Sequence, residues 1–529
     1  MRNTPDPKTM AEAFGTLRAD YEAGQTSRFR RRLTGVSPTG SSADWHLRNS
    51  TAYWRMMEQA REFDRNNMIV GQAVDRVVKN VLQEGIRPDP QTGDSAINTR
   101  LAELFAAWSH NPDACDSSGE RSFHALAKLA LRQTLVDGDV FFLPLLDGRL
   151  EAIEAHRVRT PERTERNVVH GVLLDEHRRA LEIWITLDDL GTAGRVPRVR
   201  DVRRVAVRSE TGERQVFHLR NAKRFSQTRG VTVMAPIVNA VAIHDDLQFA
   251  QLIKAWVASS FAIFEEVEGG IEVDANAKTG LQRSEMLGDG TVRTLEGLAP
   301  GMRYRGEPGV KLQGFSPNIP NPEFFQHARM VLSFIAVNLD LPLVVLLLDP
   351  SETNFSGWRG AMDQARMGFR DIQGWMIDLF YRPIYLWKVR QWIRGDMSIA
   401  RAYDALGEGL FAHRWNAPGW PYIEPSKDAL ADATRLKNRL ISPRRMHAER
   451  GRDWDEVAVE IVEDNDKLAR AALAAAAAIN SEYPEASLDF RELIGWDVRS
   501  RVYAGQQLTR GRPAETRETA GSNGRSRAL

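Results

Sequence analysis

The 529-residue chain holds one cysteine, Cys115, so an intramolecular disulfide and a cysteine-based zinc cluster are both excluded. Net charge is nearly missing as well, at +1 at pH 7. That removes any global basic signal for nucleic acid or an anionic membrane, though balanced charge can still be segregated onto different surfaces. Long apolar runs are absent. The strongest, Leu341 to Leu348, is far too short to cross a bilayer. Met1 to Met10 is polar and lacks the apolar core of a secretory signal. These features lead us to expect a soluble protein with no membrane contact, in a reducing or redox-indifferent compartment.

Catalytic signatures are missing too. The sequence carries no G-x-x-x-x-G-K-[S/T], no H-E-x-x-H, no G-x-S-x-G and no dinucleotide fingerprint. No catalytic residue, metal or cofactor is expected. His244-Asp245-Asp246 is the most suggestive cluster, and it reads as a polar turn on the face of an amphipathic helix. Asp137-Gly138-Asp139 reads as a turn before a strand rather than a cation loop. Asn354-Phe355-Ser356 matches a glycosylation acceptor but reads as the chemistry of a helix start. The cluster Arg28, Arg30, Arg31 and Arg32 suits a solvated arm or a phosphate-binding one.

What is present centres on the stretch from Asn318 to Ile393. Asn321-Pro322-Glu323 supplies a cap, a proline at the first helical position and an early carboxylate. Phe324, Ala328, Val331, Leu332, Ile335 and Leu339 then recur at helical spacing. Asp340-Leu341-Pro342 ends that stripe, because the residue before a proline disfavours helix. After a polar stretch, a long helix is expected from Ser356 to about Ile393, bent or broken near Pro383. On it Trp358, Met362, Phe369, Ile372 and Met376 form an apolar stripe. Arg359, Asp363, Arg366 and Arg370 form a charged one.

Before that stretch, Val70, Val74, Val77 and Val81 mark an amphipathic helix starting near Asp64, with Gly85 placed to end it. Helices are also expected over Thr99–Trp108 and Arg121–Leu135. The period then changes. Val140–Leu146 with Leu150–Glu154, and Val168–Leu174 with Ala180–Thr186, read as hairpins, and Val216–Leu219 as a strand. A helix is expected from Pro236 to about Glu266, and the glycine-rich section from Glu266 to Pro317 reads as short strands between turns. Beyond the long helix, Asp396–Pro425 reads as turn-rich, Ser442-Pro443 opens a short helix, and Asp453–Ala478 makes a longer one. The fold class is therefore α+β.

Several segments, in order, are similar to the portal proteins of tailed bacteriophages, specifically the lambda-like portal family. They are Arg65-Asn66-Asn67, Glu84-Gly85-Ile86-Arg87-Pro88, Asp137 to Phe142, Val216 to Leu219, Gln227 to Val231, Ala235-Pro236 and Leu298 to Gly301. The last is the run from Pro317 through Leu341-Pro342 to Asn354-Phe355-Ser356-Gly357-Trp358-Arg359. Departures are Thr228 and Thr232, where the family has small residues or proline, and Gly357-Trp358, where it has serine and a small residue. The resemblance spans roughly residues 50 to 475.

It implies a portal fold divided as follows: an arm, partly disordered, at 1–43; a wing at 44–230; a first stem helix at 231–266; a clip at 267–317; and a second stem helix at 318–341. A tunnel loop follows at 342–355, then a long spine helix with the rest of the wing at 356–425. A helical crown at 426–478 and a tail at 479–529, disordered at its end, complete the division. The tunnel loop would carry Asp349, Pro350, Ser351, Glu352, Thr353 and Asn354. Lys254, Arg293, Arg303, Arg305 and Lys311 are candidates for lining a channel, although a solvated outer surface suits each of them.

The implied role is a dodecameric ring at one capsid vertex of the virion, assembled in the host cytoplasm. Double-stranded DNA passes through such a ring without sequence specificity during packaging and ejection. Implied partners are the large terminase ATPase, head–tail connector proteins, and the major capsid and scaffold proteins. Near-neutral charge suits a conduit that must not grip phosphates. The competing readings are a genome-processing enzyme, which needs a P-loop or an acidic two-metal cluster, and another head–tail adaptor.

Overall fold

A computed structural model describes residues 40–161, 167–186, 199, 202–265, 281–286, 292–297, 302–305, 322–349, 351, 354–420, 425–485 and 488–494. The chain divides into two compact units, Met1–Pro418 and Gly419–Leu529. In the first, Asn49 caps helix α1 (Ser50–Asn66) by accepting the Ala52 amide at 3.1 Å. Asn67 then accepts the Ile69 and Val70 amides and opens α2 (Val70–Leu82). The single helix expected from Asp64 is thus two. The apolar stripe persists, since Val70, Val74, Val77 and Val81 are all buried. Gly71 lets α2 press on α1: a Cβ there would lie 2.5 Å from the Asp64 carbonyl oxygen.

Strand β1 (Arg87–Pro90) follows, then α3 (Ser95–His110) and α4 (Phe123–Val136). β2 (Asp139–Pro144) and β3 (Leu150–Glu154) form the expected hairpin around Asp147-Gly148. The next expected strand, 168–174, folds back on itself at His170-Gly171, both at positive φ. It gives β4 (Val168–Val169) and β5 (Val172–Leu174). β6 (Ala180–Thr186), β7 (Val202–Ala206) and β8 (Phe217–Arg220) complete two antiparallel sheets, β3–β2–β8 and β4–β5–β6–β7. Phe141, Leu143 and Ile153 of the first share one core with Val172, Ile183 and Ile185 of the second.

Helix α5 (Val238–Ser260) stops six residues short of the expected Glu266, because Phe261–Glu265 goes extended as β9. β10 (Leu281–Met286) and β11 (Val292–Gly297) pair antiparallel. β12 (Met302–Arg305) lies parallel to β9. Short strands therefore do occupy the glycine-rich section. The chain returns as α6 (Pro322–Asn338), a short α7 (Leu343–Leu347) and the long α8 (Phe355–Met376).

At Pro383 the long helix neither breaks nor ends. A π-helical segment, Ile377–Tyr381, leads directly into α9 (Arg382–Gly395). Pro383 has no N–H for the Leu379 carbonyl and its ring crowds that group; widening by one residue absorbs both defects. The stretch from Asp396, expected to be turn-rich, contains α10 (Met397–Leu406), capped by Asp396, and β13 (His413–Asn416). β13 pairs antiparallel with β1. Arg87-Pro88-Asp89-Pro90 is a strand only because this partner exists. Its two prolines have no ladder donors, which an edge strand tolerates.

In the second unit α11 (Pro425–Lys437) falls at the start of the section expected to be helical, where no single helix was delimited. α12 (Pro443–Ala448) and α13 (Trp454–Glu482) follow where their starts were read, capped by Ser442 and Asp453.

Candidate functional site

The junction that enters α5 is built on a charge pair with no solvent exposure. Arg229 meets Asp139 side-on, Nε to Oδ2 at 2.6 Å and Nη2 to Oδ1 at 2.9 Å. Its remaining donors reach the Val158, His170 and Ala155 carbonyls at 2.9, 2.5 and 2.9 Å. All five guanidinium N–H groups are therefore used. Asp139 also accepts from the Gly230 amide and is bonded to His218 Nε2, each at 3.0 Å. Burial pushes the Asp139 carboxyl up, but Arg229 and His218 more than reverse it and hold it well below the usual carboxylate range. Burial pushes His218 down to about 4, against the pull of Asp139.

Asp137, one residue from the turn glycine, is held by Arg61 with two bonds of 2.7 Å. Gly138 and Gly230 cross back to back: a Cβ on Gly230 would stand 1.9 Å from the Gly138 oxygen. The sequence placed Asp137-Gly138-Asp139 in a turn before a strand, which it is. It gave no sign that each carboxylate anchors a separate arginine.

From this clamp the chain runs into α5, which packs on α6. Ile237, Val241 and His244 of the first helix region, and Val331, Ile335, Ala336 and Leu339 of the second, are buried. Asn338 donates to the Val233 carbonyl at 2.7 Å, and Asn67 donates to both Asp245 oxygens. His244 is buried and bonded to Gln248 at 2.7 Å. His244-Asp245-Asp246 thus lies on a helix face, as read, and Asp245 ties that helix to the α1–α2 junction, a link the reading did not foresee.

The pair leaves much apolar surface uncovered within one chain. Phe249 and Leu252 on α5 are 66% and 69% exposed, and Phe334 and Val337 on α6 are 50% and 76% exposed. Large apolar side chains exposed together on one helix pair are more than a soluble monomer's surface ordinarily carries. Sequence periodicity alone did not find them, because it could not say which apolar side chains are left over after α5 and α6 meet.

The connection after α6 turns at Asp340, whose φ of 52° is left-handed, and enters α7 through Pro342. Leu348 at φ 56° ends α7. Part of the expected loop is therefore helical. Asp349 accepts the Ser351 amide at 3.0 Å, and Asn354 caps α8 by accepting the Gly357 amide at 2.7 Å. Met362, Phe369 and Met376 of the expected stripe are buried, and Gln373 pins α8 to the end of α2 through the Val81 carbonyl at 2.8 Å.

Asp349, Ser351 and Asn354 thus share one connection, while Pro350, Glu352 and Thr353 lie outside the described residues. Lys254 sits half-buried on α5. Arg293 lies on β11, and Arg303 and Arg305 lie on β12; the structure describes the backbone there and not the side chains. Lys311, the arginine cluster at 28–32 and the C-terminal tail beyond 494 fall outside the described residues. Among the described residues no group of three or more His, Cys, Asp or Glu side chains could hold a metal ion. No described helix is long and apolar enough to cross a membrane.

Comparison with known proteins gives the following. A chain in the neck of an empty gene transfer agent particle computed with C6 symmetry is 12% identical with a TM-score of 0.40, covering 80% of this chain and 98% of that one. A chain in the virion of the native particle is also 12% identical, with a TM-score of 0.38, covering 79% and 97%. A probable portal protein of Halomonas phage phiHAP-1 is 22% identical over 478 residues, which is 87% of this chain and 88% of the relative. The model of the family described as phage portal protein, lambda family, matches residues 29–373. With well over half of its length matched, the chain belongs to the lambda family of phage portal proteins.

Proposed function

We propose that this structural portal protein works as the repeating subunit of a twelve-membered ring at one capsid vertex, through which double-stranded DNA is packaged and ejected. The observation that carries the reading is the helix pair α5–α6, with strands inserted between its members and large apolar side chains exposed on both. A ring closed by rotation uses head-to-tail contacts, so each subunit in isolation must present apolar patches that a neighbour covers. In this reading α5 and α6 are the stem, β10–β12 lie in the clip with β9 leading into it, and the connection through Asp349, Ser351 and Asn354 approaches the DNA. The two sheets with α1–α4 form the wing, and α11–α13 the crown. Lys254, Arg293, Arg303, Arg305 and Lys311 remain candidates for the channel wall.

A packaging ATPase docks on the clip, connector proteins extend the conduit, and capsid and scaffold proteins surround the ring. Assembly takes place in the host cytoplasm.

Negative-stain imaging of the purified chain tests the ring. Closed rings with a central hole are expected, and monodisperse monomers at high concentration across several salt conditions would overturn the proposal. For the loop, the test is a deletion confined to 350–353, which spares Asn354, the cap of α8. Rings should form and DNA packaging or retention should fail; intact packaging would remove the loop from the mechanism.

A further inference from the structure

Away from the helix pair, the first unit has a cleft of about 460 Å³ between the turn 208–214 and α9. Arg208 and Arg214 face each other across an antiparallel bridge, so the turn sets two guanidiniums at its base. On α9, Arg382, Leu386 and Arg390 follow at steps of four and share a face. Pro383 and Trp387 give the cleft a half-buried apolar floor.

The charges are unbalanced. Arg208 donates to the Gly212 carbonyl at 2.8 Å, and Arg390 lies 5.5 Å from the Phe411 ring. Among the described residues, neither is bonded to a carboxylate. Arg382 is held by Asp378 at 2.6 Å. The cleft's own carboxylate, Glu213, is taken by Arg394 at 2.6 Å. Burial and the neighbouring Arg208 both disfavour the charge on Arg214. An anion seated here would relieve that repulsion.

We propose that this cleft binds an acidic peptide segment of a partner protein. Its carboxylates meet Arg208, Arg214 and Arg390, and an aliphatic or aromatic side chain rests on Leu386 and Trp387. A phosphodiester backbone would satisfy the arginines alone and leave the apolar floor in water. A ligand that alternates acid and apolar groups covers both. The site lies apart from the proposed conduit elements, and its failure would leave that reading untouched.

Fluorescence anisotropy on the full-length protein tests it, with a short fluorescein-labelled peptide alternating glutamate and leucine. An all-glutamate peptide, a lysine–leucine peptide and an oligothymidylate serve as comparisons. The glutamate–leucine peptide should bind most tightly. The double variant Arg214→Glu/Arg390→Glu should weaken it by about tenfold or more, the sum of two lost exposed charge contacts and the added repulsion. Arg435→Glu in the second unit should change nothing. If the double variant does not fold, as judged by circular dichroism, Arg208→Gln/Arg390→Gln takes its place, with a smaller loss expected. No binding, undiminished binding to the variants, equal binding of the all-glutamate peptide, or tighter competing binding of the oligothymidylate would each overturn the proposal.

Discussion

Arg229 and Asp139 show why a buried ion pair is safe only while both partners are present. Replacing Arg229 by Met leaves a carboxylate at zero exposure facing His218 and three orphaned carbonyls. We expect a loss of roughly 3–5 kcal/mol, read by denaturant unfolding. Replacing both members with apolar residues should cost clearly less than the sum of the single changes, and a double-mutant cycle measures the difference. Gly230→Ala should be severe for a separate reason, since its Cβ would collide with the Gly138 carbonyl. His218 adds a pH dependence. With its folded value near 4 and an unfolded value near 6.5, the unfolded chain binds more protons between those limits. Stability should therefore fall as pH drops from about 6.5 to 4, and rise no further above that window on account of this group. His218→Gln should flatten the slope in thermal melts taken across the window.

Among the elements, caps and periodicity were the legible part. Asn354, Ser442 and the valine stripe of α2 act as their spacing implied, because a cap or an amphipathic face is decided by near neighbours in the chain. Asn354→Ala should cost about 1 kcal/mol, measured as a drop in the thermal midpoint without loss of helix α8. Features fixed by distant partners were not legible. β1 carries two prolines and becomes a strand only against β13. The Asp137-Gly138-Asp139 turn gained its role from Arg61 and Arg229, far along the chain on either side. α10 was passed over, although Asp396 before it and Gly407 after it were visible in the sequence as a cap and a stop. Of the candidate site, the two ends of the connection, the stop at Asp340 and the cap at Asn354, were legible, and the helix α7 between them was not. Nor were the apolar faces of α5 and α6, since exposure is what remains after packing.

At the scale of the whole molecule, the proposed ring contact is tested at the exposed apolar residues of α5 and α6. Charged replacements at the α5 and α6 surface, such as Leu252→Glu with Phe334→Glu, should leave the single chain folded because neither position is in its core. They should abolish rings, as seen by imaging and sedimentation. Retention of rings would place the subunit contact elsewhere.

The pairing of β1 with β13 also governs the order of events during synthesis. β1 is made early, and its partner leaves the ribosome only near the end of the first unit. At roughly 5–20 residues per second, the early strand waits on the order of tens of seconds with its backbone unpaired. Such a strand would ordinarily template the wrong partner. Pro88 and Pro90 interrupt its donors and Asp89 adds a charge between them, so the waiting strand is a poor template for any neighbouring nascent chain. The same prolines that make β1 an unpromising strand by composition make it a poor aggregation template before β13 arrives.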